Sequence, residues 1–101
     1  MPNKRSKTLV AIALSTGLLA ASNAFAGACY VHVTWSDGDP RPNAKVQGSV
    51  SWGGMTKKVS TDDDGDATLR WSSDNDLVKV FVNGRNYGGC RNGYSKTVVT
   101  Y

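Results

Sequence analysis

The chain has no glutamate, one histidine (His32) and only two cysteines (Cys29 and Cys90), and these shortages bear on chemistry before any fold is considered. General acid–base work needs a titratable side chain oriented by a partner, and nothing in the spacing around His32 supplies a Ser and an Asp for a triad. A structural Cys/His zinc site takes four ligands, which one histidine and two cysteines cannot fill. Isoleucine is absent beyond Ile12, and leucine beyond position 26 is confined to Leu69 and Leu77. No window repeats apolar residues at i, i+3, i+4 and i+7, so an amphipathic helix is not expected. The only long apolar run, Thr8 to Ala21, is 14 residues broken by Ser15, Thr16 and Gly17, whereas a spanning helix needs about 20.

That run has the layout of a secretory leader. Lys4, Arg5 and Lys7 form a positive n-region, the apolar run follows, and Ala24-Phe25-Ala26 offers small residues at the positions a signal peptidase reads. Residues 1–26 are therefore expected to be a signal peptide and 27–101 a single domain, secreted or periplasmic. Three of the twelve basic residues go with the leader, leaving nine Lys and Arg against eight Asp, so the +4 of the whole chain falls to +1. No basic stripe with interleaved aromatics survives, and nucleic acid is not an expected partner.

The remaining 75 residues are near the lower limit for a self-sufficient core, and such domains commonly need a staple. In an oxidising compartment Cys29 and Cys90 are expected to form one bridge rather than remain two free thiols. The segment carries ten valines with many Ser and Thr, and period-two alternation recurs along it. Tyr30 to Trp35 places Val31, Val33 and Trp35 on one face. Ala44 to Trp52 places Ala44, Val46, Gly48, Val50 and Trp52 together. Met55 to Thr61 reads as a short polar strand around Val59, and Asp66 to Ser72 turns Ala67, Leu69 and Trp71 inward. Leu77 to Val82 is apolar on both faces apart from Lys79, which suits a central position. Asn83-Gly84 is a hairpin signal, since both residues tolerate positive φ. Tyr94 to Tyr101 closes the chain. The parity of Trp35, Trp52 and Trp71 assigns all three to the core. Six to seven short strands predict an all-β, two-sheet sandwich.

The run Val33-Thr34-Trp35-Ser36-Asp37-Gly38-Asp39-Pro40-Arg41-Pro42-Asn43-Ala44-Lys45-Val46 resembles the opening of small immunoglobulin-like or prealbumin-like modules. Thr61-Asp62-Asp63-Asp64-Gly65-Asp66-Ala67-Thr68-Leu69 is similar to their Thr-Asp-x-x-Gly turn, and Val46 to Gly54 is similar to their strand-then-Gly stretch. Such modules, carboxypeptidase-regulatory-like domains among them, are accessory parts of secreted bacterial peptidases and hydrolases. The resemblance implies a two-sheet sandwich and says little of function; no cofactor is expected.

Three groups of residues are candidates for function. Asp62, Asp64 and Asp66 offer the oxygens that calcium prefers, but the glycine falls at the fourth position and no bidentate Glu follows, so a solvated turn is the plainer reading. His32 alone on a strand is expected to pack rather than catalyse, and no enzyme activity is expected. Tyr87 and Tyr94 with Arg85 and Arg91 lie in a Gly- and Asn-rich loop beside Cys90. Exposed aromatics beside Arg and Asn suit protein or carbohydrate recognition, while a Gly-rich connection covering the core edge is the alternative. The leading expectation is a non-catalytic binding or structural module for a protein or cell-surface polysaccharide. The runner-up is a small secreted inhibitor or effector acting through the disulfide-pinned loop 85–94.

Overall fold

The computed structural model describes residues 25–101. The predicted leader therefore lies outside the described residues, apart from Phe25 and Ala26. Among the described residues seven strands follow one another without a helix: β1 Gly27–Trp35, β2 Lys45–Val50, β3 Val59–Ser60, β4 Asp66–Trp71, β5 Leu77–Val82, β6 Arg85–Asn86 and β7 Ser95–Thr100. They form two sheets, one of three strands in the order β4-β1-β7 and one of four in the order β3-β2-β5-β6. All pairings are antiparallel except β1 with β7, the first strand lying parallel to the last. Among the described residues no helix is long and apolar enough to cross a membrane.

Alternation decides which side chains meet between the sheets. Val31 and Val33 of β1, Val46 of β2, Leu69 of β4, and Val80 and Val82 of β5 are buried almost completely, and Ala67, Trp71 and Val98 complete the interior. Valine dominates because a β-branched side chain is already restricted at χ1 and packs well on a pleated surface. Gly48 is inward on β2 because Leu77 of the neighbouring β5, with Leu69 of the opposite sheet behind it, fills the space a side chain would need. A Cβ at that position would meet Leu77 Cδ1 at 2.7 Å and Leu69 Cδ1 at 3.3 Å.

β5 departs from simple alternation. Ser49 pairs with Lys79, but Val50 pairs with Leu77, so Val78 is an extra residue in the ladder. This bulge lets Leu77 and Val80, three positions apart, both face the core while Val78 and Lys79 face outward. An apolar run that suggests burial on both faces is thus buried on one.

β3 is shorter than the predicted Met55 to Thr61 strand, and two threonines serve β2 where its neighbour is missing. Thr56 Oγ1 accepts from the Gly48 amide at 2.9 Å, and Thr61 Oγ1 accepts from the Ala44 amide at 2.9 Å. Both side chains are buried, and Thr61 Oγ1 also donates to the Arg41 carbonyl at 2.6 Å. The hydroxyls replace ladder bonds whose absence would leave buried amides unpaired.

Two tight turns match expectation. Gly65 has φ of 81°, and a Cβ there would lie 2.4 Å from the Val33 carbonyl oxygen, so the β3–β4 turn needs glycine on both counts. Asn83 and Gly84 both have positive φ and join β5 to β6. The predicted bridge is present: Cys29 on β1 is bonded to Cys90, which pairs with Leu77 at the start of β5. It ties one sheet to the other. A disulfide in so small a domain is consistent with an extracellular or periplasmic location.

Only one of the three tryptophans follows the parity assignment in full. Trp71 is buried, its indole N–H donating to the Asn75 carbonyl at 2.8 Å. Trp35 is 39% exposed, because β1 runs past the rim of the interior, and the Arg41 guanidinium covers its ring at 4.0 Å. Trp52 is 99% exposed. β2 ends at Val50, and the chain turns there before parity can bring Trp52 back inside.

Candidate functional site

The β2–β3 connection is built around that turn. The Val50 amide donates to the Gly54 carbonyl at 2.9 Å, and the Gly53 amide donates to the Val50 carbonyl at 3.0 Å. Trp52 is the third residue of the Val50–Gly53 turn, and its φ is 58°. That position in a turn with only its third residue at positive φ is ordinarily glycine or asparagine. A bulky side chain there costs on the order of 1 kcal/mol, and it is repaid by no packing. The turn is held from the side as well: the Ser51 amide donates to the Asp76 carbonyl at 3.0 Å, and Asn75 Nδ2 donates to the Ser51 carbonyl at 2.9 Å.

Met55, three residues on and 53% exposed, stands between two hollows. One, of about 490 Å³, is bordered by Trp52, Met55, Lys57, Arg70 and Phe25. Phe25 falls on the leader side of the predicted cleavage, so processing would widen that hollow. The other, of about 560 Å³, runs over the outer face of the four-stranded sheet and is lined by Lys45, Gln47, Met55, Lys58, Phe81 and Asn83. Register places these residues. Gln47 is opposite Phe81, Phe81 is opposite Asn86, Ser49 is opposite Lys79 and Lys45 is opposite Ser60, and directly opposed residues share a face. Lys45 Nζ donates to Ser60 Oγ at 2.6 Å, and Gln47 Nε2 donates to the Thr56 carbonyl at 2.9 Å. Asn83 Oδ1 accepts from the Lys45 amide at 2.9 Å.

The residues singled out around Cys90 do not form one surface. Arg85 pairs with Val82 at one end of β5, while Cys90 pairs with Leu77 at the other, about five residues or roughly 17 Å away. Tyr87 is half-buried and packs against the core. Tyr94 is 58% exposed, with the Arg91 guanidinium 5.6 Å from its ring centre. Arg91 and Tyr94 thus remain together, Arg85 is distant and Tyr87 is turned inward. The Gly-rich stretch is in part a connection that covers the core.

The aspartates gather at the β3–β4 turn. Carboxylate oxygens of Asp62, Asp64 and Asp66 lie within 4.8 Å of one another, and all three residues are exposed. Asp62 Oδ1 already accepts from the amides of Asp64 and Asp66 at 2.9 and 3.0 Å. Asp66 Oδ1 lies 2.7 Å from His32 Nδ1. Calcium takes six to eight oxygens, and here two of the three carboxylates are engaged in closing the turn and in the His32 pair. Asp62 closes the turn, while the Asp66 carboxylate is held by His32.

His32 does find an acid, across the strand pair from Asp66, with Thr97 opposite on its other side. The pair sits on the open face of the three-stranded sheet, with side chains 42% and 59% exposed. An exposed cross-strand pair of this kind contributes about 0.2–1 kcal/mol.

Neither a family model nor a curated protein matches the sequence. Among solved structures, the chain is similar to a 9R-lipoxygenase from Cyanothece PCC8801, with a TM-score of 0.51 at 16% identity over 93% of this chain. The chain spans 18% of the length of that lipoxygenase. The likeness is one of fold alone.

The Trp52 turn and the groove beside Met55 were not singled out by sequence reasoning. Gly53-Gly54 after Trp52 was the available signal, because a glycine pair stops the strand before the tryptophan can be buried. The lysines and Gln47 were visible only as the polar side of an alternating strand.

Proposed function

We propose that the chain is an exported recognition module that binds a protein or a cell-surface polysaccharide and performs no chemistry of its own. The observation that carries this reading is Trp52, an indole held wholly in solvent by a turn whose backbone disfavours it. Strain of that kind, where it serves no packing, points to a use in contact with something else. Met55 extends the apolar surface, and the disulfide and the Asn75 and Asp76 bonds give the turn a rigid base. His32 and Asp66 meet each other as an exposed pair on an open sheet face, which suits a surface contact better than a reaction.

The strand partition favours the prealbumin-like side of the resemblance. In immunoglobulin constant-type domains the first two strands share a sheet, whereas here β1 and β2 lie in different sheets. A processed, exported chain beginning at Gly27 goes with this reading. Affinity capture from envelope extracts and culture medium tests it. A partner retained by the wild type and lost with Trp52→Ala, at unchanged melting temperature, supports the proposal. A partner held equally by both chains removes Trp52 from it.

A further inference from the structure

The charges of this domain are sorted by location. Asp37, Asp39, Asp62, Asp63, Asp64 and Asp66 lie in the β1–β2 and β3–β4 connections and the residue just after, at one end of the sandwich. Asp74 and Asp76 lie in the β4–β5 connection at the other end. The outer face of the four-stranded sheet has none. It presents Lys45 and Lys58 along the groove and Lys79 beside it, with Gln47, Asn83 and Asn86 as uncharged hydrogen-bonding groups. Phe81, half-buried, lies in the middle of that face between Gln47 and Asn86, and Met55 forms one wall.

We infer that this groove binds an anionic saccharide, its acid groups carboxylate or sulfate; the inference goes beyond the Trp52 reading and adds a second contact surface to the same recognition module. A sugar ring has an apolar C–H face and an equator of hydroxyls. Phe81 matches the first, and the amides match the second. The Asn83 side-chain amide keeps its Nδ2 donors for a ligand while its oxygen holds the Lys45 amide, and Gln47 keeps its side-chain oxygen as an acceptor. The lysines flank the ring position, where acid substituents of a sugar would project, and no carboxylate in the lining repels them. The groove runs along β2 from Lys45 past Gln47 to Met55, which is bridged to Ser49, a length of roughly 13 Å that takes a short oligosaccharide. The concave, half-polar surface suits a chain lying along it better than a flat bilayer. Three lysines on a domain of net charge near +1 make a weak footprint for nucleic acid.

Isothermal titration of the processed protein from the exported fraction decides the matter. The probes are tetragalacturonate, its fully methyl-esterified form, and a sulfated tetrasaccharide of the heparin type. Phosphatidylglycerol vesicles and polyglutamate are the anionic comparators of other classes. At least one acidic tetrasaccharide binds, at least tenfold more tightly than the neutral ester, and the affinity falls as salt rises. Lys45→Ala and Lys58→Ala each weaken it about fivefold and Phe81→Ala about tenfold, with Lys96→Ala, a lysine of β7 on the other sheet, within twofold of wild type. The two lysines are surface residues, so their variants test the site even if Phe81→Ala disturbs the sheet. Equal binding of acid and ester, indifference to both lysine variants, or no binding of either acidic sugar overturns the inference. So does preferential binding of vesicles or polyglutamate through the same lysines. A chain that still captures a partner through Trp52 but no acidic saccharide loses this inference alone. One that does neither loses the recognition reading too.

Discussion

Removing the disulfide through the double substitution Cys29→Ala and Cys90→Ala should take between about a third and all of the stability of this domain. The two cysteines are separated by 61 positions, and releasing a loop of that length returns about 4 kcal/mol of conformational freedom to the unfolded chain. A domain of this size has a total stability of only about 4–11 kcal/mol. Both cysteines are buried, so alanine is the right replacement. Serine would add the separate cost of a hydroxyl enclosed among valines. Urea unfolding followed by tryptophan fluorescence measures the loss. With a slope of about 1 kcal/mol per molar, the midpoint should fall by about 4 M, or the variant should be unfolded in buffer. A shift below about 1 M would refute the reasoning, because it would mean that the valine core and the short ladders hold the sheets together without the tie.

Other outcomes follow from single side chains. Leu69→Ala, at a fully buried site, should cost about 2–5 kcal/mol in the same urea experiment. Gly65→Ala should cost at least about 2 kcal/mol, since positive φ and the Val33 carbonyl both oppose a methyl group, and the melting temperature would register it. Trp52→Gly should leave stability within about 0.5 kcal/mol of wild type, the relief of backbone strain offsetting the added chain entropy. Arg41→Ala should cost about 1 kcal/mol by uncovering Trp35 and freeing Thr100 Oγ1, and a red shift in fluorescence would report the newly wet indole.

Much of the sandwich was legible in the sequence because alternation is a local property. β1, β2 and β4 each announce themselves by period two, β5 by its apolar run, and Asn83-Gly84 and Asp62 to Gly65 by turn chemistry. What alternation cannot supply is the extent of the opposite layer. Trp35 and Trp52 share parity with buried valines, yet each lies beyond the point where the other sheet gives cover. The bulge at Val78 shows the same limit, since an extra residue in one strand is visible only from its partner. The candidate surface was missed for a related reason. Lys45, Gln47 and Phe81 come from two strands far apart in sequence, and only their register makes them neighbours. Around Cys90, nearness in sequence does not make one surface, since Arg85 and Cys90 pair with opposite ends of β5.

The parallel pairing of β1 with β7 gives the domain an unusual response to tension. A pull between Gly27 and Tyr101 passes from Cys29 through the sulfur bridge to Cys90 and leaves everything enclosed between them slack. Only Gly27, Ala28 and the eleven residues after Cys90 can be drawn out, a run of about 45 Å at most. To release them, β7 must slide lengthwise along β1, straining its row of hydrogen bonds all at once instead of opening them one after another. The fold is a short, stiff tether that stretches little before covalent bonds take the force.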